Sequence, residues 1–155
     1  MRFAAGLAAP VIAVVGLIGL GGDAATSAPG APEAKRDAMA QTARVQGAPK
    51  RELVLSRVAV PPGAKLALHH HLGTQVARIE SGALTYTVQQ GSVVVRHGQS
   101  DAGANVVRTI KAGDWIVEQP SDIHRAANKG RRPVVIYLAT LLQAGAPPAT
   151  PVVGR

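Results

Sequence analysis

Between Glu52 and Leu142 the chain is a succession of short runs rich in Val, Ile, Leu and Thr, none long enough to build a helical core. The runs are Glu52–Val60, Lys65–His71, Gln75–Glu80, Ala83–Gln89, Ser92–Arg96, Val106–Ile110, Trp115–Glu118, Ile123–Ala127 and Val134–Leu142. Clusters of turn-forming residues divide them: Pro61-Pro62-Gly63, Ser81-Gly82, Gln90-Gly91, Ala112-Gly113-Asp114, Gln119 to Asp122 and Asn128-Lys129-Gly130, with a longer break from Gly98 to Asn105. Within one run Leu84, Tyr86 and Val88 alternate with Thr85 and Thr87, the period of a half-exposed strand. Eight or nine such strands predict an all-β sandwich or barrel.

The two ends read differently. Met1-Arg2-Phe3 carries one positive charge, Ala4 to Leu20 is apolar apart from glycines and Pro10, and small residues follow up to Ala28. That order predicts a secretory signal peptide over residues 1–28, with cuts favoured after Ala24 or Ser27, and hence a periplasmic or secreted protein with no stable membrane insertion once the peptide is removed. Residues 29–48 contain Pro29, Gly30, Pro32, Gly47 and Pro49 just beyond, and read as a flexible linker. Glu33 to Gln46 has at most the makings of a transient helix. A domain over 49–146 and a proline-rich tail over 147–155 complete the expected organisation.

Composition narrows the chemistry. The chain has no cysteine, so any metal is held by nitrogen and oxygen. The net charge is +8, and it stays +8 without residues 1–28, which hold one charge of each sign, Arg2 and Asp23. Specific nucleic-acid binding is a poor match. The basic residues are scattered, and Tyr86, Trp115 and Tyr137 are the only aromatics beyond the leader, too few for a stacking platform. There is no Ser-His-Asp elbow, phosphate-cradling loop or dinucleotide fingerprint.

His69-His70-His71 is the densest functional signal. On a strand, His69 and His71 share a face and His70 points away, unless a bulge shifts the register. The same alternation turns Ala67 inward. Gln75 follows four residues on, and His124 lies just after the turn that contains Pro120. Three imidazoles and a side-chain carbonyl converging on one point would bind a transition metal. His97 reads as an exposed loop histidine, and Arg78 and Arg125 point outward. Trp115 and Tyr137 read as core or rim packing. Glu118 and Asp122 are candidate acceptors for an imidazole N–H, or else turn residues.

The spacing has a counterpart. Gly63-x5-His69-x-His71-x3-Gln75-x6-Gly82 and Gly113-x10-His124-x3-Asn128, with Pro120 inside the second, resemble the two motifs of the cupin superfamily over roughly residues 50–143. Gln75 stands where that family usually has Glu, Pro120 lies one position late, and Asp122 replaces an inner glycine. The resemblance implies a double-stranded jelly-roll barrel with one divalent metal (Mn, Fe, Ni, Zn or Co) held by His69, His71, Gln75 and His124. It gives Gly82, Gly113 and Asn128 backbone roles. The function expected is metal-dependent chemistry of oxygenase, isomerase, decarboxylase or lyase type on a small, anionic, oxygen-rich molecule. A non-catalytic small-molecule or metal-binding module is the alternative. In either case the expected partners are a small anionic molecule and a second copy of the chain in a homodimer. With Gln in place of Glu, no base for proton transfer is evident.

Overall fold

A computed structural model describes residues 30–91, 93–97, 100–102 and 107–153. The expected signal peptide lies outside them. The described chain forms strands β1 (Lys35–Thr42), β2 (Arg51–Val60), β3 (Lys65–His70), β4 (Gly73–Ser81), β5 (Ala83–Gln90), β6 (Val94–His97), β7 (Ser100–Ala102), β8 (Val107–Lys111), β9 (Trp115–Glu118), β10 (Ile123–Ala127), β11 (Val134–Gln143) and β12 (Thr150–Pro151). They make two antiparallel sheets, β1-β2-β11-β4-β9-β6-β7 and β12-β3-β10-β5-β8. This is the jelly-roll architecture that the strand rhythm and the motifs predict.

Alternation builds the core. Ala77 and Ile79 of β4, Leu84, Tyr86 and Val88 of β5, Ile116 of β9, and Val134, Ile136 and Leu138 of β11 all turn inward. Their neighbours on the same strands face out, so each sheet buries one face. Among the described residues, no helix is long and apolar enough to cross a membrane.

Both ends of the domain correct the sequence reading. The segment taken as a flexible linker carries β1, which pairs with β2 from Lys35↔Ala59 to Thr42↔Leu53. β1 is an edge strand with nearly every side chain exposed. Backbone hydrogen bonds, not burial, hold it, so it shows no apolar period. The tail is likewise ordered at β12, where Thr150 pairs with His70 and Pro151 with His69. A proline at a sheet edge is compatible with pairing on one side only. In addition, the break after Gly98 contains β7, paired with β6. His97 closes β6 rather than lying in a loop, and its side chain lies outside the described ones.

The glycine and asparagine of the motifs act on the backbone. Gly82 joins β4 to β5 at φ +79°, and a Cβ there would stand 2.9 Å from Val134 Cγ2 and 3.0 Å from the Pro133 carbonyl oxygen. Asn128 Nδ2 donates to the Val60 and Arg132 carbonyls at 2.9 and 2.8 Å, while its Oδ1 accepts from the Gly130 N–H at 2.9 Å. Gly82→Ala meets both the left-handed backbone and that contact. It is expected to destabilise the fold by about 1–3 kcal/mol, read as a lower denaturant midpoint at unchanged slope.

Candidate metal centre

Strand pairing assembles the site from distant segments. β3 ends in His69-His70, and β10 lies against it with His124 opposite His69. A bulge interrupts this pairing between His124 and Ala126. It falls below His69, so His69 and His71 keep a common side while the phase changes further down. Leu66, opposite the inward Ala126, therefore packs against the core, and Ala67 is exposed at the cavity mouth. Ala67 thus lines the cavity, as its expected inward turn implies, but at an exposed position. His70 stays out of the cluster, as alternation required.

One nitrogen from each of His69, His71 and His124 lies within 4.8 Å of the others. His71 and His124 are buried, at 3% and 2% exposure, and His69 is half-buried. Two rings are locked from behind. His69 Nδ1 donates to the Ala67 carbonyl at 2.7 Å, and His71 Nδ1 donates to the Pro148 carbonyl at 2.6 Å. A carbonyl only accepts, so each Nδ1 carries the proton and each Nε2 presents a lone pair. Burial holds His69 below the usual imidazole range and pushes His124 down to about 4, which keeps both neutral and ligand-ready.

Beside the cluster stands a residue that the sequence offered only as an outer acceptor. Glu118 of β9 is 2% exposed and receives Tyr86 Oη–H at Oε1 (2.6 Å) and the Gln75 amide at Oε2 (2.5 Å). The same two oxygens stand 3.2 Å from His124 Nε2 and 3.3 Å from His71 Nε2. Burial pushes the Glu118 carboxyl up, while positive charge at the facing His71 and His124 nitrogens, together with the Tyr86 hydrogen bond, pulls it below the usual carboxylate range. Burial and that negative charge push the Tyr86 phenol far up, so it remains a donor. The legible signal was the run Trp115-Ile116-Val117-Glu118, in which alternation turns Ile116 and Glu118 to the same inner face.

Gln75 sits beside the cluster with Nε2 on Glu118 and 3.5 Å from His71 Nε2, and its buried Oε1 has no hydrogen-bond partner among the described residues. Asp122 instead serves the turn before β10, where Oδ2 accepts the Gln119 N–H at 2.6 Å. Trp115 and Tyr137 lie on the outer face, 37% and 36% exposed, with Arg78 in register between them. They are surface residues, not core packing. Arg125 is also exposed.

The donor set fits a metal ion. A carboxylate that faces two imidazole nitrogens needs positive charge between them, and a divalent ion bound by three imidazoles supplies it. The cluster forms the floor of a cavity of about 810 Å³. Its walls are largely aliphatic, including Val58, Leu66, Ala77, Ile136 and Leu138, and Arg36 and Lys65 also line it. The former linker contributes Ala31 to Ala34, and the former tail contributes Pro148, Ala149 and Pro151.

No family model matches the sequence, and no curated protein does either. The fold, however, is shared with solved structures. L-ribose isomerase of Geodermatophilus obscurus aligns with a TM-score of 0.60 at 15% identity, over 79% of this chain and 70% of that one. An uncharacterized protein of Klebsiella pneumoniae with a double-stranded β-helix domain aligns at 0.50 and 24% identity, over 79% and 80%. The DMSP lyase DddQ of Ruegeria pomeroyi aligns at 0.48 and 15% identity over 64% of this chain, which spans only 43% of that lyase. This chain has a double-stranded β-helix fold.

Tyr86→Phe leaves one lone pair of a buried carboxylate without its donor. It is expected to cost about 1–3 kcal/mol of stability while the fold is retained, measured by chemical unfolding followed by circular dichroism.

Proposed function

We propose that this chain is a metal-dependent cupin acting on a small molecule with an anionic, oxygen-bearing end and an apolar body. The observation that carries this reading is the placement of three converging imidazoles, two of them locked through Nδ1, in a largely aliphatic cavity. A divalent ion held by His69, His71 and His124 would supply Lewis acidity toward a carboxylate or enolate oxygen. The chain's own residues do the rest. The Ala67 and Pro148 carbonyls fix the rings of His69 and His71. The aliphatic walls exclude water from the floor. Arg36 and Lys65 set positive charge along the cavity, with Glu33 opposing them. Such walls suit a hydrocarbon body better than a molecule that is oxygen-rich along its whole length, which narrows the substrate expected from sequence.

A non-catalytic binding module is the second reading. It is favoured by Glu118, the carboxylate on the floor, being engaged by both Tyr86 and Gln75 instead of standing free as a base. Turnover of a bound ligand separates the two. Export is part of the proposal and rests on the pattern of residues 1–28; amino-terminal sequencing of exported protein tests it. A homodimer is proposed on the apolar outer row Leu55, Ala139 and Val76, contiguous across β2, β11 and β4, and sedimentation tests it.

The central test uses protein stripped of metal and free of any polyhistidine tag. Adding Co²⁺, Zn²⁺ or Mn²⁺ is expected to raise the melting temperature, with about 2.7 kcal/mol of stabilisation at a hundred times the dissociation constant. His71→Ala is expected to abolish the shift. Straight-chain carboxylates are then expected to bind the loaded protein more tightly as the chain lengthens, by calorimetry. Flat melting curves would sink the metal reading, and affinity independent of chain length would sink the apolar-body assignment.

A further inference from the structure

We infer that Glu118 is the anionic metal ligand of this centre, delivered from β9, and that Gln75 is its positioning residue. The inference rests on the metal reading above and adds the fourth donor to it.

Register supplies the first argument. The cupin motif places its carboxylate at the position of Gln75 on β4. In this chain Gln75 is paired directly across the ladder with Glu118, and both turn inward. Carboxylate and amide thus stand at one level of the barrel on neighbouring strands. The charge lost from one strand is present on the next.

Distance supplies the second. Two donors on adjacent positions of one first-row ion, each at about 2.0–2.2 Å from it, stand about 2.8–3.6 Å apart. Glu118 Oε1 is 3.2 Å from His124 Nε2, and Oε2 is 3.3 Å from His71 Nε2. Each oxygen thus stands at neighbouring-ligand distance from one imidazole, and Glu118 adjoins the mutually close set of His69, His71 and His124 from the side of His71 and His124.

Hydrogen-bond direction supplies the third. An ionised carboxylate only accepts, so Gln75 must turn its amide nitrogen to Glu118, and at 2.5 Å it does. Tyr86 holds the other oxygen. Gln75 and Tyr86 together grip the carboxylate in the way outer partners orient a metal ligand. The centre is then three neutral imidazoles and one carboxylate, with a net charge of +1 around a divalent ion instead of the +2 that a Gln75 site would carry.

The test is Co²⁺ affinity, measured by competition with a chromogenic chelator on the full domain, together with an infrared difference spectrum of the unsubstituted protein on adding Zn²⁺. Glu118→Gln keeps shape and removes charge; it is expected to weaken binding about a hundredfold or more. Gln75→Ala is expected to weaken it about tenfold or less, as the loss of an orienting partner. The double exchange Glu118→Gln with Gln75→Glu returns the charge across the ladder and is expected to recover most of the loss. Zn²⁺ is expected to shift a carboxylate stretch in the unsubstituted protein, a readout that needs no variant to fold.

If the unsubstituted protein binds Co²⁺ and His71→Ala does not, yet Glu118→Gln binds as tightly as its parent, the Glu118 assignment is wrong and the metal reading stands. An unshifted carboxylate band on Zn²⁺ binding overturns it equally, and with a large loss in Gln75→Ala makes Gln75 the ligand. If the unsubstituted protein binds no metal at all, the parent reading has failed and this inference falls with it.

Discussion

The Glu118 carboxylate, buried against an aliphatic cavity, sets the terms for everything around it. Removing an ionised group from water costs several kcal/mol unless its oxygens are fully engaged. Glu118 meets part of that demand with two donors, the Tyr86 phenol of β5 and the Gln75 amide of β4, and its oxygens face the His71 and His124 nitrogens at the end of β3 and on β10, where a cation would meet the rest. Each partner is itself buried, so none can leave without exposing another unsatisfied group. The cluster thereby fixes which faces of four strands turn inward, and it ties the two sheets together at one level. A one-residue slip of β9 would put Val117 on the floor and the charge in solvent.

How much of this could be read in the chain depends on what kind of force holds each part. Where burial decides, alternation is visible: Leu84, Tyr86 and Val88 in β5 were legible, as were the shared face of His69 and His71 and the outward Arg78. Motif spacing located His124 and the backbone roles of Gly82 and Asn128. Where backbone hydrogen bonds decide, sequence is nearly silent. β1 and β12 are edge strands whose side chains gain little from pairing, so proline content pointed to linker and tail. The bulge opposite His124 and Ala126 shifted the phase at Ala67, and nothing in the local residues signals it. Glu118 was underrated because its importance lies in register with Gln75, which is a property of two strands and not of either.

The cavity joins two unlike environments. Its floor offers nitrogen and oxygen donors in a fixed array; its walls offer hydrocarbon. A ligand satisfies both only if its polar atoms are gathered at one end. The walls also raise the effective strength of every charge on the floor, since the surroundings are far less polarisable than water. Arg36 illustrates the cost of standing near them: burial lowers its affinity for the proton, and its Nε–H is taken by Ser56 Oγ at 3.2 Å.

The pairing of β2 with β11 sets Arg51 against Gln143, nearly the full span of the domain. β4 joins the sheet on the far side of β11, and only then do Gln75 and Glu118 find their places. Loop-closure entropy must therefore be met before the donor array exists at all, the signature of a slow, high-contact-order folder. An ion in solution meets in the unfolded chain no more than the local His69–His71 stretch. Were the centre to take up an ion, it would reward the finished barrel and find no early nucleus to bind, and would so slow unfolding far more than it speeds folding.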